Sequence, residues 1–245
     1  MEVKRISVLG VSVDVCSLSA LEEKVLEMLE SSSPKRIMFI SVWDLLRARR
    51  KNEYSECLRS ADLILPVSKS ILKGAKFLKK EIPVRHNQFK SLIRILSLLE
   101  SRNKSFYIFG GRNKSLNQAF RNIKSTFTGL PIVGRYVGYY KKDVEKDIIQ
   151  AINKASPSLV LLSDGIKEKD CWAYSRQSEL PPSIFLYYRD SVGIFSKRVK
   201  RVSEKTFDRG LEIWSEILKN PLKLFLLFPY IGYIMCLIWY RLFKE

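Results

Sequence analysis

Histidine is nearly absent from this chain: His86 stands alone among 245 residues. Cysteine is little better represented, and Cys16, Cys57, Cys171 and Cys236 never fall in a Cys-x-x-Cys spacing. These scarcities argue against zinc and transition-metal clusters, which need several imidazoles or thiolates at short spacing, so no metal and no other cofactor is expected. The thiols read as buried or inert groups in a reducing compartment. Neither a His-Glu-x-x-His pattern nor a Ser-His-Asp order is present. No leader is expected either: Met1 to Arg5 is charged, and the apolar run after it is broken by Ser7, Ser12 and Asp14. The bulk of the protein is therefore expected in the cytoplasm. Acidic residues are in short supply, 25 against 43 Lys and Arg, giving a net charge of +18. Such a charge calls for a polyanionic partner: nucleic acid, an anionic membrane surface or phosphorylated substrates. No RNA- or DNA-binding motif accompanies it, so nucleic acid is not expected.

What the chain does contain is short apolar runs alternating with helical patterns. Residues 6–15 alternate about Gly10 and read as a hairpin or bent strand. Ser19 and Glu22 form a capping-box pair for a helix to about residue 31. Residues 36–40 read as a strand, 43–59 as one basic helical region, and 71–80 and 89–101 as helices. A buried strand over 105–109 runs into Gly110-Gly111, with a helix from about Lys114. Residues 132–140 are strand-like, 143–155 an amphipathic helix, and 158–162 and 183–188 further strands. Strands alternating with helices of ten or more residues predict an α/β fold, a Rossmann-like three-layer αβα with a mainly parallel sheet. Residues 1–195 would form it, and residues 196–245 a basic and apolar C-terminal appendage.

The stretch Ser60-Ala61-Asp62-Leu63-Ile64-Leu65-Pro66-Val67-Ser68-Lys69-Ser70 reads as a buried strand delivering its end to a helix N-terminus. In open α/β sheets ligands bind at such strand ends, and a helix start offers N–H groups to an anion. The position suited to an acid or base holds Val67. Gly110-Gly111 and Ser163-Asp164-Gly165 follow strands as well, and each is either an approach for a phosphate or a tight turn. Asp62 reads as a structural cap, and His86 beside Arg85 as a surface residue.

The C-terminal part changes character. Lys197, Arg198, Lys200, Arg201, Lys205 and Arg209 crowd residues 196–209, and residues 210–219 read as an amphipathic helix. From Leu224 to Tyr240 no charge appears, but Pro229 and Gly232 interrupt the run, which is slightly short of the ~20 residues that span a bilayer. Its aromatics, Phe225, Phe228, Tyr230, Tyr233, Trp239 and Tyr240, favour the headgroup boundary. Peripheral or monotopic attachment through residues 222–243 is expected ahead of a full span; the alternative is a buried C-terminal helix. The basic run would then lie on anionic lipid or grip a diphosphate.

Taken in series these segments resemble the WecG/TagA/CpsF glycosyltransferases. The resemblance is carried by Leu9-Gly10-Val11-Ser12-Val13-Asp14, Ser60-Ala61-Asp62-Leu63-Ile64-Leu65-Pro66, Phe109-Gly110-Gly111 and Val133-Gly134-Arg135-Tyr136-Val137-Gly138-Tyr139. Residues 148–153 with Pro157, Lys200-Arg201 and Gly210-Leu211-Glu212 complete it. It implies metal-independent, inverting transfer of a hexose or N-acetylhexosamine-type sugar from a UDP-sugar to a lipid-diphosphate-linked acceptor, in surface polysaccharide biosynthesis. The setting it implies is the cytoplasmic face of the inner membrane, often with a homo-oligomer. Arg85 would handle the donor. Ser41, Gly110, Gly111, Gly138, Tyr139, Gly165 and Asp170 would shape the nucleotide site, and Lys200 and Arg201 would face phosphate or lipid.

The chain departs from the family pattern where chemistry is expected. The strand-end Asp-Gly is Val67-Ser68, and the preceding strand-end asparagine is Ser41. A Gly-x-Asp falls on Gln88-Phe89-Lys90, and a Phe-Asp that meets the nucleotide falls on Val192-Gly193. The donor loop reads Gly165-Ile166-Lys167-Glu168-Lys169-Asp170, and two arginines fall on Glu216 and Leu224. An inverting transfer needs a carboxylate to take the acceptor's proton. That duty passes to Asp164 or Asp44, or the chain is a catalytically inactive homologue serving as a membrane-bound binding or scaffolding subunit.

Overall fold

The computed structural model describes residues 3–210, 225 and 227–243. Of the expected helix over 210–219, all but Gly210 lies outside the described residues, as do the positions Leu211, Glu212, Glu216 and Leu224.

The chain opens with a hairpin of β1 (Lys4–Val8) and β2 (Val11–Val15). Its two-residue turn, Leu9-Gly10, has φ of 54° and 83°, the doubly positive geometry that matches the twist of the flanking strands. Helix α1 (Leu18–Leu29) buries Leu21, Val25 and Met28, as the periodicity requires. Its cap is Ser17, whose hydroxyl accepts from Ala20 N–H at 3.1 Å, and Ser19 bonds that hydroxyl instead of capping. The basic region read as one helix is two, α2 (Val42–Ala48) and α3 (Glu53–Arg59). Asn52 donates its side-chain amide to the Arg47 carbonyl at the end of the first at 3.2 Å and caps the second by accepting from Ser55 N–H at 2.9 Å, local bonds that compete with helix continuation.

Six parallel strands make the central sheet. They are β3 (Lys35–Ile40), β4 (Leu63–Pro66), β5 (Phe106–Phe109), β6 (Ile132–Tyr136), β7 (Leu159–Leu162) and β8 (Ile184–Tyr187), in the spatial order β4-β3-β8-β7-β5-β6. Alternate side chains divide between two apolar layers, which is why most strands read as continuous hydrophobic runs. Ile37, Leu65, Ile108 and Leu161 pack with α1, α5 (Gln88–Ser101) and α6 (Asn113–Thr126). On the opposite face Met38 and Ile64 meet the hairpin, α2, α3 and α4 (Lys69–Phe77). Val160 and Phe185 meet α7 (Glu145–Ala155) and α8 (Trp172–Ser175). The fold is thus the three-layer Rossmann-like architecture expected.

β4 is an edge strand, and the hairpin covers it. The buried Asp14 carboxylate accepts from Ile64 N–H at 2.7 Å and from Arg5 at 2.7 and 2.9 Å, which occupies a donor an exposed edge would leave free. Asp62 plays the structural part read for it, accepting from Arg36 N–H at 2.9 Å. His86 does not lie at the surface: it is 1% exposed, because its backbone N–H bonds the Pro66 carbonyl at 2.9 Å and draws the ring inward.

Two short helices follow β8, α9 (Ser191–Phe195) and α10 (Glu204–Arg209). The last element, α11 (Leu227–Phe243), runs beside α4 in the same direction. Tyr233 donates to the Ser70 carbonyl at 2.8 Å, Gly74 lies under Tyr233 and Leu237, and Arg241 reaches the Phe77 carbonyl. Among the described residues no helix is long and apolar enough to cross a membrane. α11 is two-faced: Tyr233 is 2% exposed, whereas Phe228 and Met235 are 70% and 62% exposed.

Candidate active site

The sheet order reverses direction between β3 and β8: from β3 the chain steps outward to β4, while the later strands fill the other side. A crevice opens at the carboxyl ends of strands at such a point. Here it is a cleft of about 470 Å³. Its floor is built from the residues that follow β3 (Ser41, Trp43, Asp44), β4 (Val67 to Ser70) and β8 (Tyr187 to Asp190). The start of α5, the Lys169-Asp170 pair and α10 close the sides.

Each wall has a local cause. Ser41 caps α2 in a reciprocal box, in which the Asp44 carboxylate accepts from Ser41 N–H at 2.8 Å and from its hydroxyl at 2.6 Å. This fixes Asp44 at the cleft edge. Ser68 begins α4 without capping it; its hydroxyl accepts from Val42 N–H at 3.1 Å and ties the ends of β3 and β4 together. Asp170 ends the loop after β7. That loop is fastened by Arg176, which donates to Glu168 at 2.7 Å and to Glu145 at 2.9 Å.

Four carboxylates share the cleft with Val67: Asp44, Asp170, Asp190 and Glu204, the last paired with Lys90. Desolvation, then the like charge of Asp44 and the neighbouring Cys171, push the Asp170 carboxyl up to about 8. A carboxyl held near neutrality beside another carboxylate is a common arrangement in acid–base sites. Cations line the same space: Lys69, Lys90, Lys169, Arg189 and Arg201. Lys90 pairs with Glu204 at 3.1 Å, Lys69 donates to the Asp208 carbonyl at 3.1 Å, and Arg201 stands 6.0 Å over the Phe89 ring.

Arg85 is used differently from the expectation. Its Nε donates to the Val67 carbonyl at 2.8 Å, a second N–H reaches the Phe207 carbonyl, and the guanidinium lies 3.7 Å from the Phe207 ring centre. It joins α10 to the end of β4 and is not among the residues lining the cleft. Burial holds its pKa below the usual guanidinium value.

A separate knot gathers the glycines at the ends of β5, β6 and β7. Gly111 N–H donates to the Asp164 carbonyl at 2.8 Å and Gly138 N–H to the Gly111 carbonyl at 2.9 Å. A Cβ at Gly138 would fall 2.2 Å from the Asp164 carbonyl oxygen. A Cβ at Gly111, which has φ 74°, would fall 2.5 Å from a Val192 methyl. The amides of Gly110, Gly111 and Gly138 are occupied by backbone, and a Cβ at Gly165 would fall 2.7 Å from the Tyr139 ring. On the rim, Tyr139 donates to Asp164 at 3.2 Å, and Arg112 stands 4.9 Å over the Tyr139 ring. Asp164 belongs to this knot and Asp44 to the cleft. Ser41, Asp44, Val67, Asp170 and Arg201 are brought together, whereas Lys200 is exposed outside the lining.

Sequence reading missed Tyr187 to Asp190 and Phe207. The Tyr-Tyr-Arg-Asp string directly after the β8 apolar run was the available signal. The Phe-Asp position assigned to Val192-Gly193 lies one turn further on, where Val192 is buried against Gly111.

Comparison with known proteins agrees with this architecture. A Bacillus spizizenii (strain ATCC 23059 / NRRL B-14472 / W23) protein, N-acetylglucosaminyldiphosphoundecaprenol N-acetyl-beta-D-mannosaminyltransferase, is 22% identical over 174 residues, covering 71% of this chain and 67% of that protein. The family model for glycosyl transferases of the WecG/TagA/CpsF type matches residues 6–245, nearly the whole length, so this chain belongs to the WecG/TagA/CpsF family.

Proposed function

We propose that the protein transfers a hexose or N-acetylhexosamine-type sugar from a UDP-sugar to a lipid-diphosphate-linked acceptor, working at the cytoplasmic face of the membrane. The observation that carries the reading is the pair of carboxylates, Asp44 and Asp170, beside Val67 in a cation-lined cleft at the reversal of the sheet. Asp170 takes the proton from the acceptor hydroxyl as its oxygen bonds to the anomeric carbon. The bond from that carbon to the diphosphate breaks, and UDP leaves with the electron pair. Lys69, Lys169, Arg189 and Arg201 offset the growing charge on the leaving group. The relative's name supports a diphospholipid acceptor. Attachment runs through α11, whose outer face is apolar and exposed, as in helices that lie in the membrane boundary.

The test is UDP release with a panel of UDP-hexoses and UDP-N-acetylhexosamines and an N-acetylglucosaminyl-diphospholipid acceptor. kcat/KM is expected to rise with pH until about 8, where Asp170 becomes ionised. Asp170→Asn is expected to lower it by on the order of 10²–10⁴. Asp44→Asn, which removes the repelling charge, is expected to move the rising limb to lower pH. Full turnover by Asp170→Asn would end this assignment. Val67 favours a second reading, a silent homologue that binds without reacting. A rise in Tm with UDP but no UDP release from any donor would establish it.

A further inference from the structure

Away from the cleft, a cavity of about 450 Å³ lies between the turn joining α2 to α3 and the C-terminal half of α11, a size in the ~300–1,000 Å³ range of ligand sites. Arg49, Arg50, Lys51 and Arg59 line it, and among the described residues no carboxylate does. Glu53, on the same helix as Arg59, turns elsewhere and accepts from the Ser175 hydroxyl at 3.4 Å. Trp239 and Tyr240 form the facing wall. Arg49 also meets the Cys236 thiol, joining the basic turn to α11.

The placement of this cavity relative to α11 matters most. Phe228, Ile231, Met235, Ile238 and Leu242 recur at three- and four-residue spacing and therefore share one face. They are 70%, 57%, 62%, 41% and 69% exposed. Trp239 borders that stripe and also walls the cavity. When such a helix lies in the membrane boundary, the margins of its apolar stripe sit among the headgroups, the level Trp and Tyr prefer. The four cations open at that same level.

We propose that this cavity binds the phosphate of an anionic membrane phospholipid, at a site distinct from the cleft that holds the reacting diphosphate. The inference rests on α11 being the membrane-facing helix. Guanidinium forks match phosphate oxygens in geometry, and among the described residues no lining carboxylate competes for them.

The experiment is flotation of the full chain with vesicles of phosphatidylcholine alone and of phosphatidylcholine mixed with phosphatidylglycerol. Three proteins accompany the parent. The cavity variant carries Arg50→Gln, Lys51→Gln and Arg59→Gln. A charge-matched control carries Lys114→Gln, Arg121→Gln and Lys124→Gln on α6, on the opposite face of the sheet. The third carries Ile231→Glu and Met235→Glu. At about fivefold per cation, the cavity variant is expected to lose on the order of a hundredfold in affinity for the anionic vesicles. It should keep parental binding to the neutral ones, and the control should match the parent on both. Equal losses in cavity variant and control would overturn the site in favour of bulk charge. So would inorganic phosphate raising the Tm of the parent alone while the cavity variant still binds anionic vesicles normally, which would mark a free-anion site. The Ile231→Glu/Met235→Glu protein should leave both vesicle types; if it stays bound to both, the membrane reading of α11 fails irrespective of the cavity.

Discussion

At 1% exposure the His86 ring finds its partners inside the protein: Nε2 lies 2.9 Å from the Cys16 carbonyl, and Nδ1 3.4 Å from the Ser91 hydroxyl. A carbonyl only accepts, so Nε2 carries the proton and Nδ1 accepts from Ser91. Desolvation is the larger influence and lowers the His86 pKa, with the Cys16 bond opposing it. The unfolded chain therefore binds this proton more readily than the native state. The resulting stability is complete above about pH 6.5, the unfolded value, and is lost as the pH falls below it. Urea midpoints between pH 7 and 5 are expected to fall for the parent and to fall less steeply for His86→Gln, whatever the variant's starting stability. Equal slopes would remove His86 from the acid sensitivity. Tyr54 shows the opposite economy. It is buried, its hydroxyl lacks a hydrogen-bond partner among the described residues, and its ring is held by Arg47 at 4.2 Å.

Among the elements, α4 and α11 are joined where a glycine lets them touch. A Cβ at position 74 would lie 2.2 Å from the Tyr233 hydroxyl and 3.3 Å from a Leu237 methyl. Gly74→Val is expected to displace α11 at a penalty of about 1–3 kcal/mol. Limited proteolysis should then release the C-terminal segment about tenfold faster, and an unchanged rate would show that the contact yields without loss. Most elements could be read from apolar periodicity, and Val67 at the strand end was visible in the sequence. The order of the strands was not, since each apolar run is compatible with several neighbours. Nor was the meeting of Asp44 with Asp170: the first is spoken for locally by Ser41, and the second arrives on a loop fixed by Arg176. Arg85 was legible as a cation near the end of β4, but its contact with Phe207 depends on how the C-terminal part folds back.

For the whole molecule, the apolar tail is at once core and surface. Tyr233 and Leu237 are 2% and 8% exposed, and burying a large apolar side chain contributes about 1.5–3 kcal/mol. Deleting residues 222–245 is thus expected to remove about 3–6 kcal/mol and to lower Tm by on the order of 10 °C, read by calorimetry. An unaltered Tm would mean the body completes its core without the tail. Membrane attachment is accordingly better probed by Ile231→Glu/Met235→Glu, which leaves the buried face in place.

The alignment of α4 with α11 also sets a spacing. Tyr230 touches Ser70 and Trp43 at the mouth of the cleft, whereas Tyr240 closes the basic cavity. Ten residues of helix separate these tyrosines by about 15 Å. On a bilayer the protein would stand on two feet, one over the acceptor lipid proposed for the cleft and one over a lipid it merely grips. No single lipid head could fill both footprints, so the grip would steady the enzyme without competing with its substrate.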